Sequence, residues 1–258
     1  MRFGYAASAP FGADVLERLA ANHEIAFCLT LPDAPAGRGR GLRPTQAKLT
    51  ALKLGIPVVE SLEGTLDEST IVLVAYGRLI PRVLLDRHLW LNLHPSLLPR
   101  WRGAAPVERA IMAGDPETGV TAIRLVEELD AGPTAGRRAF PIGPEDDAGA
   151  VYDRAAEEGA ALLEDVLPAP SFAPQPDEGV TYAEKIGPED RELDLSRPEE
   201  AVNTVRALSP HIGARTELEG RRVLVWRARV EGGRFVPLEV QPEGGRRMGY
   251  DEWLRGLR

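Results

Sequence analysis

The sequence predicts an α/β fold with a mostly parallel sheet, followed by a small β-rich C-terminal domain. Through the first half of the chain, short apolar runs alternate with segments of helical periodicity. Four prolines then crowd residues 168–176, a composition typical of a stiff connector. Beyond the connector, residues 221–229 and 235–240 are strand-like. These three observations together define the predicted fold class.

The first half supplies the elements of the sheet in order. Helices are predicted at residues 11–21, where apolar side chains recur at helical spacing, and at 46–54, which ends before Gly55 and Pro57. A continuously apolar run, as at 71–75, is typical of a strand buried on both faces. Strands separated by helices indicate βαβ units and therefore a parallel sheet. The predicted strands are residues 2–6, 25–31, 58–59, 71–75, 89–94 and 120–126.

Composition indicates a cytoplasmic protein. The 258 residues suffice for one large domain or a main domain with an appendage. No stretch approaches the ~20 apolar residues that span a bilayer, and the first residues lack the regions of a signal peptide. The single cysteine, Cys28, excludes an internal disulfide. Because it lies in an apolar run, we expect a buried and inert thiol.

The charge is unevenly distributed. The net charge of −8 argues against general nucleic-acid binding. Residues 205–258 nevertheless hold 11 arginines and 7 acidic residues, a net of +4, which leaves −12 for the rest. Residues 32–48 form a Gly- and Pro-rich connection with four cations against Asp33. A connection this long is often functional, although a plain surface loop is equally compatible with its composition. Any contact with a polyanion should therefore be local.

Two polar residues mark the end of the strand predicted at residues 89–94. Asn92 and His94 are two residues apart, so they face the same side of the strand, and Pro95 and Pro99 follow. Ligands of open α/β sheets bind at the carboxyl ends of the strands. A histidine there can exchange protons near neutral pH, and an amide can donate to a developing oxyanion. A purely structural role for His94 remains open on this pattern alone.

Asp130 follows the strand predicted at residues 120–126, so we expect it at the same edge of the sheet. A carboxylate beside His94 would favour the charged imidazolium, but spacing alone does not establish that the two side chains meet. Cysteines and histidines with metal-ligand spacing are absent from the sequence, so no metal is expected.

The stretch NLHPSLLPRWRGAAP, residues 92–106, resembles the signature of the folate-dependent formyltransferases. The resemblance extends to residues 74–78 (VAYGR) and 113–120 (AGDPETGV), and in the tail to 181–186 (TYAEKI) and 238–244 (LEVQPEG). Within that family, the chain is most similar to the members that formylate methionyl-tRNA. Residues 60–71 are shorter than in those relatives, and strands between residues 230 and 235 are missing.

The resemblance implies a Rossmann-like catalytic domain at residues 1–178, a linker at 179–195 and an OB-like, shortened C-terminal domain at 196–258. It assigns catalysis to Asn92, His94 and Asp130. It assigns contacts with the co-substrate 10-formyltetrahydrofolate to Tyr76, Arg78, Leu79, Ile80, Glu127, Glu128 and Leu129, and contacts with tRNA to Arg38, Arg40, Arg43 and Lys48.

The implied function is transfer of a formyl group from 10-formyltetrahydrofolate to the amino group of initiator methionyl-tRNA, without a metal. Three alternatives stay open: a formyltransferase acting on an amino-sugar nucleotide, a hydrolase releasing formate from the same folate, and a non-catalytic paralogue that binds folate or tRNA. The expected partners are the tRNA and the folate, with no membrane. The sequence does not define the oligomeric state, and a monomer is the expectation.

Overall fold

A computed structural model describes residues 1–36, 41–62 and 67–257. The chain forms two compact units. The first unit contains Met1–Arg102, Gly119–Ala139 and Asp153–Thr181, and the second contains Gly103–Thr118, Phe140–Tyr152 and Tyr182–Arg258. The chain therefore passes between the units several times, and the linear boundaries at residues 178 and 195 stay a prediction.

The described part of the first 166 residues contains ten strands and five helices, and seven of the strands form the main sheet. The strands are β1 (Arg2–Ala7), β2 (Glu24–Leu29), β3 (Ala34–Ala36), β4 (Gly41–Arg43), β5 (Val58–Val59), β6 (Thr70–Val74), β7 (Leu89–His94), β8 (Arg102–Gly103), β9 (Glu117–Arg124) and β10 (Thr134–Pro141). The helices are α1 (Pro10–Leu19), α2 (Gln46–Lys53), α3 (Arg82–Leu85), α4 (Pro106–Met112) and α5 (Ala148–Val166).

The strand order is β10-β9-β7-β6-β1-β2-β5. Strands β5, β2, β1, β6 and β7 pair in parallel, whereas β9 pairs antiparallel with β7. The predicted α/β fold with a mostly parallel, Rossmann-like sheet is confirmed. Within the connection at residues 32–48, β3 and β4 pair antiparallel, which the sequence analysis did not predict. Strands of three residues with Gly and Pro are too short to show alternation.

Apolar residues of the strands form the core of the first unit. Phe27, Ile71 and Trp90 belong to one cluster, and the Trp90 indole N–H donates to the Leu84 carbonyl oxygen over 3.0 Å. Cys28 is fully buried, as predicted, and burial raises the pKa of its thiol to about 12. The thiolate form needed for reactivity is therefore suppressed.

The second unit contains a four-stranded antiparallel sheet. The remaining elements are β11 (Tyr182–Ala183), a 3₁₀ turn (Glu189–Arg191), α6 (Pro198–Leu208), β12 (Ala214–Leu218), β13 (Arg221–Glu231), β14 (Arg234–Pro242), β15 (Met248–Gly249) and α7 (Tyr250–Arg255). The sheet order is β12-β13-β14-β15. Val205 and Leu208 of α6 and Trp253 of α7 form a cluster with Val225 and Val240 of the sheet. Both strands predicted in this region are confirmed.

A two-residue turn explains the shortened tail. Glu231 pairs with Arg234, and Gly232 and Gly233 between them have φ values of 58° and 72°. Two successive positive φ angles define the turn that matches the twist of a tight hairpin, and glycine adopts them without steric cost. This turn joins β13 directly to β14. Among the described helices, none is long and apolar enough to cross a membrane.

Candidate active site

Asn92 and His94 lie at the carboxyl end of β7, as predicted. Asn92 is in register with Leu73 on the parallel neighbour β6. The two residues are 6% and 5% exposed, so both are polar groups in an otherwise apolar strand. Buried polar groups need hydrogen-bond partners, and those of Asn92 and His94 come from two loops.

Asp130 contacts both residues, but by a route different from the predicted one. Because β9 is antiparallel to β7, its end at Arg124 lies opposite Leu91, toward the start of β7. The following loop folds back, so that Asp130 Oδ1 accepts from Asn92 Nδ2 over 3.3 Å and Oδ2 lies 3.6 Å from His94 Nδ1. The three predicted residues thus meet in one cluster in the first unit, with Asp130 itself 8% exposed.

The loop holding Asp130 has an unfavourable backbone. Asp130 has a φ of 47°, in the left-handed region that side chains other than glycine rarely adopt. Two residues on, a Cβ at Gly132 would overlap the carbonyl oxygen of Arg124. Glycine is therefore required for the loop to pass close to the β9 backbone.

A backbone carbonyl fixes the orientation of the His94 ring. His94 Nε2 lies 2.8 Å from the Trp101 carbonyl oxygen, which can only accept, so Nε2 carries a proton. Trp101 has a φ of 66°, and its N–H donates to Thr181 Oγ1 over 2.9 Å. Nδ1 is thereby left facing Asp130, where it can take or hold a proton.

Sequence reasoning missed Gln175 and Arg102. Gln175 Nε2 donates to the carbonyl oxygens of Asp130 and Gly132, over 2.7 and 2.8 Å. Its Oε1 accepts from Arg102 Nε and Nη2, over 3.2 and 2.8 Å. Arg102 is 8% exposed and lies inside the 92–106 signature, where a buried guanidinium signals a nearby acceptor. Nothing in the sequence around Gln175 identifies that acceptor.

The residues predicted to bind the folate differ in their surroundings. Leu79 and Leu129 are 87% and 56% exposed, and Arg78, Glu127 and Glu128 are also exposed. Tyr76 and Ile80 are packed in the hydrophobic cluster of the first unit, where they are 1% and 8% exposed. All seven assignments stay predictions. Among the described residues, no group of His, Cys, Asp and Glu side chains is arranged to hold a metal ion.

Two of the residues predicted to bind tRNA, Arg43 and Lys48, belong to the part of the chain that the structure describes. Arg43 is exposed at the end of β4. Lys48 Nζ donates to Asp33 Oδ1 over 2.6 Å and to Glu60 Oε1 over 2.7 Å. These hydrogen bonds raise the pKa of Lys48, and the bond to Asp33 has the larger effect. The charge of Lys48 is therefore already balanced by two neighbouring carboxylates. Arg38 and Arg40 lie outside the described residues.

The cluster has the chemical groups that acyl transfer can use. An amide donor can stabilise an oxyanion, and a histidine beside a carboxylate can remove a proton. Residues 8–167 match the Formyl transferase family profile, and residues 185–235 match that family's C-terminal domain. A methionyl-tRNA formyltransferase of Ruegeria pomeroyi is 43% identical over 257 positions, covering 93% of this chain and 85% of the relative. The chain belongs to the folate-dependent formyl transferase family.

Solved structures share the fold. The methionyl-tRNA formyltransferase of Clostridium thermocellum superposes with a TM-score of 0.64 at 16% identity, over 94% of this chain and 98% of that one. An N-formyltransferase of Helicobacter canadensis, in complex with folinic acid and dTDP-3-aminofucose, gives 0.66 at 16% identity, over 91% and 98%. Because both scores are nearly equal, the fold does not distinguish the acceptor, whereas the 43% identity with the tRNA enzyme does.

Proposed function

We propose that this chain transfers the formyl group of 10-formyltetrahydrofolate to the amino group of initiator methionyl-tRNA. The observation that carries the proposal is the buried cluster of Asn92, His94 and Asp130 in a chain 43% identical to a methionyl-tRNA formyltransferase. The amino-sugar, hydrolase and non-catalytic alternatives are not favoured by that identity. In this proposal the enzyme acts in the cytoplasm as a monomer.

His94 and Asp130 handle the proton. The amine of methionine attacks the formyl carbon and forms the new C–N bond, and its nitrogen must then lose a proton. His94 Nδ1 is the nitrogen that faces Asp130, whereas Nε2 is held by the Trp101 carbonyl. The carboxylate stabilises the positive charge that develops on the ring when it accepts this proton. The proton is then returned to N10 of tetrahydrofolate as the bond from N10 to the formyl carbon breaks.

Asn92 stabilises the tetrahedral intermediate. Its Nδ2 carries two hydrogens, one of which is directed at Asp130 Oδ1. The other donates to the oxyanion that forms on the formyl oxygen. Because Asn92 is 6% exposed, this hydrogen bond is made away from bulk water, where it is stronger.

Two loops of the first unit bind the folate. Arg82 Nη1 and Glu127 Oε2 are 3.5 Å apart, so the segment after β6 approaches the loop after β9. The exposed Leu79 and Leu129 lie three residues before Arg82 and two after Glu127. Solvent-exposed leucines on approaching segments offer apolar contact to an aromatic ring system. The charged Arg78, Glu127 and Glu128 then supply polar contacts.

Local cations hold the acidic tRNA on an acidic protein. Arg38, Arg40 and Arg43 belong to residues 32–48, which carry a single acid, Asp33, and the last 54 residues carry a net of +4. Cations that neutralise phosphates supply most non-specific affinity, and this contribution weakens with salt.

The test is a direct assay of the purified chain. It is incubated with 10-formyltetrahydrofolate and one acceptor: initiator methionyl-tRNA, elongator methionyl-tRNA or an amino-sugar nucleotide. Formylmethionine recovered after deacylation of the initiator tRNA, with one tetrahydrofolate formed per product, is the expected result. His94→Ala is the matched inactive control. Formylation of the sugar alone, or release of formate without an acceptor, would overturn the proposal.

A further inference from the structure

Residues 173–181, which we call the brace segment, follow α5 and overlap the Pro-rich connector at residues 168–176. We propose that the brace segment is a positioning element of the active site, in which Gln175 sets the place of Asp130 and Thr181 sets that of His94. The inference rests on the proposed function for its kinetic test. Neither residue touches the reacting atoms; both act through backbone groups of the catalytic loops.

Both ends of the brace segment are fixed within the first unit. At one end, Ala173 and Thr134 exchange backbone hydrogen bonds of 2.9 and 2.7 Å at the start of β10. At the other end, the Thr181 N–H donates to the Pro99 carbonyl over 3.4 Å, and the Arg102 N–H donates to the Thr181 carbonyl over 2.9 Å. The segment is therefore held beside the loop that contains Asp130 and beside residues 99–102 of the signature.

Gln175 fixes the Asp130 loop with every hydrogen-bonding group of its amide. The two carbonyls can only accept and Arg102 can only donate, so the amide has one possible orientation. An aspartate at φ 47° persists only where the surroundings impose that conformation. The amide binds the carbonyls of Asp130 and Gly132, on either side of Ala131, and so imposes it.

The prolines around Gln175 limit its own freedom. Pro174 and Pro176 flank it directly. A residue before proline is restricted to extended backbone, and the proline rings fix φ on both sides. The stiffness that the sequence indicates for this region thus serves to present one amide at a fixed position.

Thr181 fixes the His94 ring through Trp101. Its Oγ1 accepts the Trp101 N–H over 2.9 Å, and the Trp101 carbonyl accepts from His94 Nε2 over 2.8 Å. Trp101 is also held in the left-handed region, at φ 66°. If this hydrogen bond were lost, the Trp101 peptide could relax, and the carbonyl that orients His94 would move.

The experiment uses the full chain with initiator methionyl-tRNA and 10-formyltetrahydrofolate. Gln175→Glu keeps an acceptor for Arg102, but it replaces the amide that donates to the Asp130 loop with a carboxylate oxygen, which cannot donate. Gln175→Met removes the amide without adding a charge. Thr181→Val removes the hydroxyl but keeps the shape of the side chain, whereas Thr181→Ser keeps the hydroxyl. Glu178→Gln, at an exposed position of the same segment, is the control.

The expected result is a fall in kcat with little change in either KM. Displacements of about 1 Å cost up to roughly 100-fold, so we expect about 10- to 100-fold for Gln175→Glu, Gln175→Met and Thr181→Val. Thr181→Ser and Glu178→Gln should stay within about twofold of the wild type. A kcat within about twofold for both Gln175 variants, or for Thr181→Val, would overturn the assignment of that residue. The assignment would also be overturned if the whole loss of kcat/KM came from an increase in KM.

A second readout separates this inference from the proposed function. The chain has four histidines, so the ring signals of His94 can be assigned by NMR from the His94→Ala variant. Thr181→Val should shift the His94 ring signals and leave the other three in place. If the wild type formylates no tRNA but this shift is seen, the proposed function fails and the positioning role of Thr181 stands. Unchanged His94 signals in Thr181→Val would overturn that role whatever the activity.

Discussion

Asp130→Asn is the substitution that most directly tests the proposed mechanism. It preserves the shape of the side chain but removes its negative charge. The new amide oxygen can still accept from Asn92 Nδ2, which leaves the amide NH2 toward His94 Nδ1. That arrangement favours the neutral ring with its proton on Nε2, where the Trp101 carbonyl already accepts it. We therefore expect an intact fold with a histidine that can no longer take up a proton efficiently.

The distance in the structure sets the size of the effect. A full positive charge on His94 would lie 3.6 Å from the Asp130 carboxylate. At an effective dielectric constant of ~20, that interaction is about 5 kcal/mol. Only part of the charge has developed on the ring in the transition state, so we expect a loss of ~2 to 4 kcal/mol. This corresponds to a roughly 30- to 1,000-fold fall in kcat.

The assay is single-turnover formylation of initiator methionyl-tRNA with saturating 10-formyltetrahydrofolate. The control is Glu157→Gln, the same chemical change at an exposed position of α5, which should leave the rate unchanged. The thermal unfolding midpoint checks that Asp130→Asn remains folded. A rate within about threefold of the wild type, in a folded variant, would show that the Asp130 charge does not support His94 and would refute the electrostatic argument.

Three further predictions concern catalysis, tRNA binding and stability. His94→Ala and Asn92→Ala should each lower kcat at least ~100-fold with unchanged circular dichroism; near-wild-type turnover in either would remove that residue from the mechanism. Arg38→Ala combined with Arg40→Ala should raise the KM for methionyl-tRNA and flatten its salt dependence while the KM for the folate stays constant; an unchanged KM for tRNA would end the assigned role of residues 32–48. In the second unit, burial raises the pKa of Glu108, whose carboxylate accepts from the Tyr152 hydroxyl. The folded state therefore binds its proton more tightly than the unfolded state, and the free energy of unfolding should fall as the pH rises from about 4.5, the ordinary Glu value, through the raised pKa. Glu108→Gln should remove this fall. The free energy of unfolding is measured by urea titration at several pH values, and the same dependence on pH in the wild type and in Glu108→Gln would contradict the prediction.

The sequence defined the parts of the sheet more completely than their arrangement. The apolar run that became β6 and the alternating run that became β7 were recognisable because burial imposes a local pattern on each strand. The direction of β9 was not, because a strand of the same composition can pair either way. The antiparallel pair β3–β4 was missed, since three-residue strands carry too few residues for a period to emerge. Helices α5 and α6 were also not predicted, although they contain 19 and 11 residues.

The sequence by itself determined the family, because the stretch at residues 92–106, which contains Asn92 and His94, is a specific signature that can be recognised without coordinates. Only the tertiary structure showed how these two residues meet Asp130. Asp130 reaches β7 through a loop that folds back from an antiparallel strand, with Gln175 bound 45 residues further along the chain. Local sequence encodes a strand's burial and a residue's reactivity. A hydrogen bond between distant residues depends on the whole path of the chain, which no local pattern records.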